Sequence, residues 1–391
     1  MNSDNQIGAV IIGSNFQALG IIRCRAEKGI PCFVIEHEFG ISRFSRYCKR
    51  KKINYSLLSS SQNFVDYLIK IAKEENLKGW VLYPNNDELV KLISINRGKL
   101  QEWFKLIIPH WEIVKKFYYK QNAYKIAEKI SIPIPKMYTN NIEKLLKEEL
   151  IFPIVLKPTY REKYYPKTKK KAIRVDSKEQ LITEYQNMNS IIDSSEIIVQ
   201  EMIEGGTKNL FSYATFFTGE QSIGGMTAVR PRQHPMDFGR ASTYAESIHI
   251  PELYEMGNRI LKEMGYFGVA EVEFMKDDKE GVYKFIEVNG RFWGWHTLAR
   301  EAGINFPFIL FNYMLGKDIS APEARIGAKW VRLLTDVPIV IMELFGRRFS
   351  LKEYFRTMYG KKQFAVFSLR DPLPFLMELL LLPYLWKKRG F

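Results

Sequence analysis

The sequence predicts an N-terminal α/β domain followed by a longer α+β region. Three observations predict this. Apolar runs alternate with helix-like stretches through residues 1–112. Two apolar strands near 268–290 carry acids at alternate positions and read as an antiparallel pair. The last seventy or so residues, 321–391, are rich in apolar, helix-like stretches.

The N-terminal elements follow in order. IGAVII (7–12) is a short apolar run, and Gly13-Ser14-Asn15 turns it into a periodic stretch reaching Lys28. Gly29-Ile30-Pro31 breaks that stretch before CFVIE (32–36). Strand, turn, helix, strand is a βαβ unit with a parallel sheet. A helix near 62–75, a strand at Gly79–Tyr83, a helix at Asp87–Asn96 and a strand at Lys105–Ile108 continue the doubly wound pattern. The Gly13–Gly20 turn lacks G-x-G-x-x-G spacing, so a dinucleotide site is not indicated, and there is no P-loop.

The second region starts with a helix over 117–130, ended by Pro133 and Pro135. Strands are expected at Phe152–Lys157, Ile197–Gln200, Phe211–Phe217 and Gly224–Arg230, and a helix at Tyr254–Met264. Gly268–Met275 and Val282–Val288 pair through the turn Lys276–Gly281. A helix follows Trp293 to about Ala302. The segment 226–247, with Arg230, Arg232, His234 and Arg240 among Pro and Gly, reads as a functional loop.

Composition bounds the function. The chain has 391 residues, 46% hydrophobic and 26% charged, enough for two or three globular domains. No low-complexity tract, repeat, signal-peptide layout or 18-residue apolar run is visible. Three cysteines without a CxxC pair suggest a reducing, cytoplasmic setting and no zinc site. The net charge of +15 calls for an anionic partner. It concentrates in Arg43–Lys52, Lys157–Arg174 and Lys387-Lys388-Arg389. Nucleic acid is one such partner, but no DNA- or RNA-binding motif accompanies the charge.

The chemistry concentrates in GVAEVEF (268–274) and FIEVNGR (285–291). Alternate residues of a strand share a face, so Glu287 and Asn289 point together, as do Glu271 and Glu273. Paired, the strands present Glu273, Glu287 and Asn289 to one point. Two carboxylates and an amide oxygen suit Mg²⁺ bridging nucleotide phosphates. Glu is depleted in strands, so these acids need a reason; the plain alternative is a solvent-facing sheet. Lys157 ends the strand IVLK just before Pro158, placing an ammonium at a cleft edge. Arg230 and Arg232 share a face if extended and suit bidentate binding of a substrate carboxylate. Trp293, Trp295 and His296 read as packing. No Ser-His-Asp pattern, H-E-x-x-H or recognisable nucleophilic cysteine appears.

These two strands resemble the metal-binding strands of the ATP-grasp superfamily, of the predicted carboxylate–amine ligase type. Upstream segments agree in order. FPIVLKP (152–158) resembles the strand whose lysine meets the α- and β-phosphates, Lys157. Lys120 in KQNAYKIAEKISIPIP resembles the earlier phosphate lysine. IIVQEMIEGG (197–206) resembles the hinge, implying Glu201 and Ile203 at the adenine and Glu204 at the ribose. The arginine of such a motif, here Arg291, stabilises phosphate or acyl-phosphate charge. The glycine-rich loop of many members is replaced by Thr159–Lys171, which has no glycine and many lysines.

The resemblance, which covers residues 1 to about 320, implies a Rossmann-like pre-ATP-grasp domain (1–112), a small lobe (113–196) and a large lobe (197–320), and a helical C-terminal extension (321–391) is expected beyond it. It implies ATP with Mg²⁺, two ions, with Mn²⁺ as an alternative. The expected reaction joins a small-molecule carboxylate to an amine through an acyl-phosphate, releasing ADP and phosphate. Other readings stay open: a phosphotransferase or thioester-forming ligase on the same fold, a nucleic-acid binder, or an idle nucleotide scaffold. A homodimer is a further expectation by analogy. The stretch 371–391, with Trp386 and a basic end, suits either a membrane interface or packing against the protein.

Overall fold

In the computed structural model, residues 6–384 are described, except 161, 162, 237, 240 and 348. Arg240, Trp386 and the basic end 387–389 therefore lie outside the described residues. Among the described residues the chain forms three sheets.

The first sheet holds β1 (Ala9–Ile12), β2 (Cys32–Glu36), β3 (Arg50–Ile53), β4 (Trp80–Pro84) and β5 (Phe104–Leu106), all parallel, in the order β3-β2-β1-β4-β5. Between them run α1 (Phe16–Ala26), α2 (Ser61–Glu74), α3 (Asp87–Ile95) and α4 (Arg97–Leu100). β1, β2 and β4 are buried along their whole lengths, as a parallel sheet covered on both faces requires. Asn15, Ser60 and Asn86 cap α1, α2 and α3, each side chain accepting from backbone N–H groups of the first turn. The strand order reverses between β1 and β4, which opens a crevice at their C-terminal ends. Asp87 stands at that edge, in the first turn of α3. Cys24, Cys32 and Cys48 are buried and unpaired in this part of the chain.

Next come α5 (Trp111–Tyr118) and α6 (Lys120–Lys129). One helix is expected from sequence over 117–130. Instead Tyr119 adopts an extended backbone, φ −95° and ψ 109°, and divides the stretch. The break makes Lys120 the first residue of α6. The second sheet comprises β6 (Met137–Tyr138), β7 (Ile154–Pro158), β8 (Ile173–Val175) and β9 (Ile197–Glu201), in the order β6-β9-β7-β8. With it go α7 (Ile142–Leu145), α8 (Tyr165–Thr168) and α9 (Lys178–Asn189). It has its own small core around Leu156, Leu181, Tyr185 and Val199.

The third sheet is the largest. It contains β10 (Leu210–Phe217), β11 (Ser222–His234), β12 (Ala241–Ile248), β13 (Gly268–Asp277), β14 (Val282–Asn289), β15 (Lys329–Val331) and β16 (Lys362–Phe364). Their order is β14-β13-β10-β11-β12-β15-β16. Helices α10 (Pro251–Met264), α11 (Thr297–Glu301), α12 (Phe306–Met314), α13 (Leu333–Phe345), α14 (Leu351–Met358) and α15 (Leu373–Leu380) complete it.

Two expectations are corrected here. The segment 226–247 is not a loop: most of it lies in β11 and β12, which pair antiparallel. The region after 320 is not purely helical, because β15 and β16 extend the large sheet. The same C-terminal region also reaches back to the first sheet. The Asp371 carboxylate accepts from Arg23 Nε (3.0 Å), Ser45 Oγ (2.7 Å) and the Arg46 N–H (2.9 Å), all in or near the first sheet's connections.

Candidate functional site

A cleft of about 280 Å³ opens between the second and third sheets. Its floor is the β13–β14 pair. Glu273 lies directly across from Glu287, and Glu271 across from Asn289. The register explains why four polar side chains gather in otherwise apolar strands. Antiparallel partners place their Cβ atoms about 5 Å apart on one face. Gly290 follows because Phe117 packs where a side chain would be; a Cβ there would sit 2.5 Å from the Phe117 ring.

The carboxylates are held by specific neighbours. Glu271 is buried and accepts from Ser212 Oγ (2.9 Å) and Trp295 Nε1 (3.0 Å). Asn289 Nδ2 donates to Glu273 (2.8 Å) and Glu271 (3.2 Å). Arg230 ion-pairs with Glu273 (2.6 Å) and Glu271 (3.3 Å). Burial pushes Glu271 up to about 7, against the pull of Arg230. Burial also pushes Glu287 up, but the ammonium groups of Lys120 and Lys171 outweigh it and hold the carboxyl well below the usual range. Lys120 ion-pairs with Glu287 across the cleft.

Cations line the same cavity. Lys157 lies on the β7 wall, buried, and donates to Tyr124 Oη at 2.6 Å. Burial, and then the neighbouring Lys120 charge, lower its pKa to about 7. Lys171, from the basic segment after β7, donates to the Gly239 carbonyl (2.8 Å) and so reaches the β11–β12 turn. Arg291 makes a two-pronged pair with Asp87 at 2.8 and 3.1 Å. This joins the first sheet's C-terminal edge to the end of β14. The rest of the wall is more apolar, with Val155, Ile203, Leu210, Met275 and Ile286 beside Gln200.

Most residues singled out from sequence converge. Lys120, Lys157, Glu201, Ile203, Glu273, Glu287, Asn289 and Arg291 all line the cleft. Glu201 is partly committed, its carboxylate pairing with Lys284 (2.6 Å) and its N–H donating to the Lys136 carbonyl (2.9 Å). Three residues stand elsewhere. Glu204 is mostly exposed and pairs with Lys279 at 2.9 Å, off the cleft wall. Arg230 is buried beneath the carboxylates it pairs with, not presented to the cavity. Arg232 points away from Arg230 and forks onto Asp336 at 2.8 and 2.9 Å, so it is not placed to hold a substrate carboxylate. The register shift between Val229 and Arg232, at Pro231, breaks the alternation that would align the two arginines. Trp293, Trp295 and His296 are buried packing residues, and burial lowers the His296 pKa to about 4.

Two lining or supporting residues escape a sequence reading. Tyr124 has a signal in hindsight, since it stands four residues after Lys120 on α6 and shares its face. Asp87 has only its place at the C-terminal edge of a parallel strand as a pointer.

The donor set fits a divalent cation shared with phosphate. Glu273 and Glu287 face each other across one strand pair, with the Asn289 amide oxygen beside them. Mg²⁺ is commonly bound by one or two carboxylates together with substrate phosphates. Among the described residues, no group of three His, Cys, Asp or Glu side chains is placed to hold a metal ion.

Known proteins agree with this architecture. Residues 224–336 match the model of a family described as ATP-grasp in the biosynthetic pathway with Ter operon. A D-aspartate ligase of Enterococcus faecium is 24% identical over 301 residues, spanning 72% of this chain and 70% of the ligase. A β-γ-ATP complex of Campylobacter jejuni biotin carboxylase superposes with a TM-score of 0.65 at 16% identity, over 83% of this chain and 74% of that one. A Bacillus licheniformis L-amino acid ligase gives 0.61 at 15% identity, over 79% and 74%. A biotin carboxylase domain from Hydrogenobacter thermophilus, also at 0.65, was solved with MgADP and bicarbonate. The chain thus has the ATP-grasp fold, and its similarities in sequence and in structure both include amino-acid ligases.

Proposed function

We propose that the protein is an ATP- and Mg²⁺-dependent ligase that joins the carboxylate of an amino acid or similar small acid to an amine. The observation that carries this reading is that Glu273 and Glu287 line one cleft together with Lys120, Lys157, Lys171 and Arg291. Four cations and two carboxylates at one point match a polyphosphate with its divalent ion. The relatives named as amino-acid ligases supply the substrate class.

In this reading the adenine lies against Ile203, Leu210, Met275 and Ile286, with the hinge at Glu201 and Ile203 beside its edge. Lys120, Lys157 and Lys171 neutralise the triphosphate. Glu273, Glu287 and Asn289 would hold Mg²⁺, which would neutralise phosphate charge as the γ-phosphoryl leaves. Arg230 acts below them by fixing the orientation of Glu273. Phosphoryl transfer to a carboxylate oxygen gives an acyl-phosphate and ADP. Attack of the amine on the acyl carbon then forms the amide and expels phosphate. Arg291, held by Asp87, points its guanidinium at that developing charge. No nucleophilic side chain is needed, because such catalysis is positioning and electrostatics. Within this reading the first sheet is the pre-ATP-grasp domain, and its crevice at Asp87 borders the second substrate's approach.

The test is thermal unfolding with and without Mg-ADP, in the wild type and in Glu287→Ala. A ligand bound only by the folded state at a hundred times its dissociation constant adds about 2.7 kcal/mol. The wild type should show a clear rise in melting temperature that shrinks in the variant. An unmoved wild type at saturating Mg-ADP contradicts the site.

A further inference from the structure

The helices of the C-terminal region expose more apolar side chain than a surface helix usually does. A surface helix normally turns apolar residues inward and charged ones to water. On α13 the buried face carries Asp336 and Glu343 beside Ile339 and Val340, while Val337, Ile341, Met342 and Phe345 are exposed. On α15 Glu378 is buried and Leu373, Leu376, Leu379 and Leu380 are exposed. On α14 Leu351, Phe355 and Tyr359, just past its end, form a third exposed row. Phe345 is 86% exposed, Tyr359 82% and Leu369, between α14 and α15, 84%. Each set recurs at three- or four-residue spacing, so each helix presents one apolar stripe outward.

The three helices are tied to the chain around β15. Lys329 of β15 donates to the carbonyls of Arg356 and Tyr359 at the end of α14. Arg332, between β15 and α13, pairs with Glu378 of α15 at 3.3 Å. So many exposed large apolar side chains on three neighbouring segments mark an interaction surface.

The charges say what kind. Within 333–384, among the described residues, Asp336, Glu343, Asp371 and Glu378 are all buried. Asp336 is taken up by Arg232, Asp371 by Arg23 and Glu378 by Arg332. The one exposed acid, Glu353, is engaged in the α14 capping box with Ser350. Arg347, Lys352, Arg356, Lys361 and Arg370 are exposed. The face is therefore leucine- and phenylalanine-rich with a cationic border. We propose that it docks on an anionic lipid surface, with α13, α14 and α15 lying in the interface. A second copy of the chain fits less well. A two-fold contact uses the same patch on both partners, so it would set these cations against their own kind. Among the described residues no helix is long and apolar enough to cross a membrane, so the contact is peripheral.

The test is flotation of the full chain with two kinds of vesicle, phosphatidylcholine alone and phosphatidylcholine containing phosphatidylglycerol. The chain should float with the second and not the first, and should release as salt is raised. Two variants change only exposed residues: Phe345→Glu with Leu376→Glu, and Lys352→Glu with Arg356→Glu. Each should keep the wild-type melting temperature and lower the vesicle-bound fraction by about tenfold or more. No flotation with anionic vesicles at low salt overturns the proposal, as does flotation that neither variant weakens. So does a wild-type dimer by sedimentation that Phe345→Glu with Leu376→Glu converts to monomer in a chain that never floats.

Discussion

Lys157 carries an ammonium that its surroundings disfavour, with a folded-state value near 7 against 10.5 for the ordinary side chain. Between those values the folded chain binds fewer protons than the unfolded one. Stability from this group therefore rises as pH climbs from about 7 toward 10, and the cost of burying the charge is felt below 7. Phosphates arriving beside it favour the charged form and raise its pKa again. At about pH 8, binding of Mg-ADP should thus take up close to one proton. Calorimetry in buffers of different ionisation heat measures that uptake, and Lys157→Met should abolish it. The residues that sequence made legible are those whose type and spacing were unusual. Acids at alternate positions of apolar strands gave Glu273 and Glu287, and a lysine closing an apolar strand gave Lys157. Tyr124 and Asp87 were not legible, because a tyrosine on a helix and an acid in a first helical turn are ordinary in sequence. Only the fold shows that they meet Lys157 and Arg291.

Among elements, β11 and β12 separate what pattern can show from what it cannot. Pro231, Gly239 and a run of arginines look like a loop, yet most of the segment pairs in the large sheet, with Pro231 at an irregularity. That irregularity turns Arg232 inward onto Asp336, while Arg230 faces the carboxylates. Both partners of the Arg232–Asp336 pair are buried. Removing one leaves the other charge uncompensated, so Asp336→Ala should cost about 3–5 kcal/mol in denaturant unfolding. Replacing both, with Arg232→Met and Asp336→Leu, should restore most of that stability. A double variant as unstable as the single one would show that the pair does more than satisfy itself. The β13–β14 hairpin, in contrast, was readable because two apolar runs with alternating acids flank a short polar turn, although the pairing shifts register between Glu273 and Phe274. The break at Tyr119 was not, since no Pro or Gly marks it.

At the scale of the whole molecule, the α/β start and the two later sheets follow from alternating patterns, but their mutual placement does not. Asp87 and Arg291 are 204 residues apart and form a two-pronged pair. Arg23 and Asp371 are 348 apart. Neither tie leaves a local trace, and three-residue strands such as β15 and β16 are too short for periodicity. The Asp87 tie lets the first sheet act on the cleft without lining much of it. Asp87→Asn should lower the turnover of ADP release by about tenfold, through a misdirected Arg291, while the melting temperature changes little. An unchanged turnover would mean that Arg291 needs no anchor. The central claim, an acyl-phosphate formed at this cleft, is tested most directly by following oxygen. The enzyme is incubated with Mg-ATP, an amine pool and amino acids carrying ¹⁸O in their carboxylates, and the products are read by mass spectrometry. The account predicts ADP and inorganic phosphate bearing one labelled oxygen, in amounts equal to the amide formed and lost in Glu287→Ala. AMP with pyrophosphate, or phosphate without label, would contradict it.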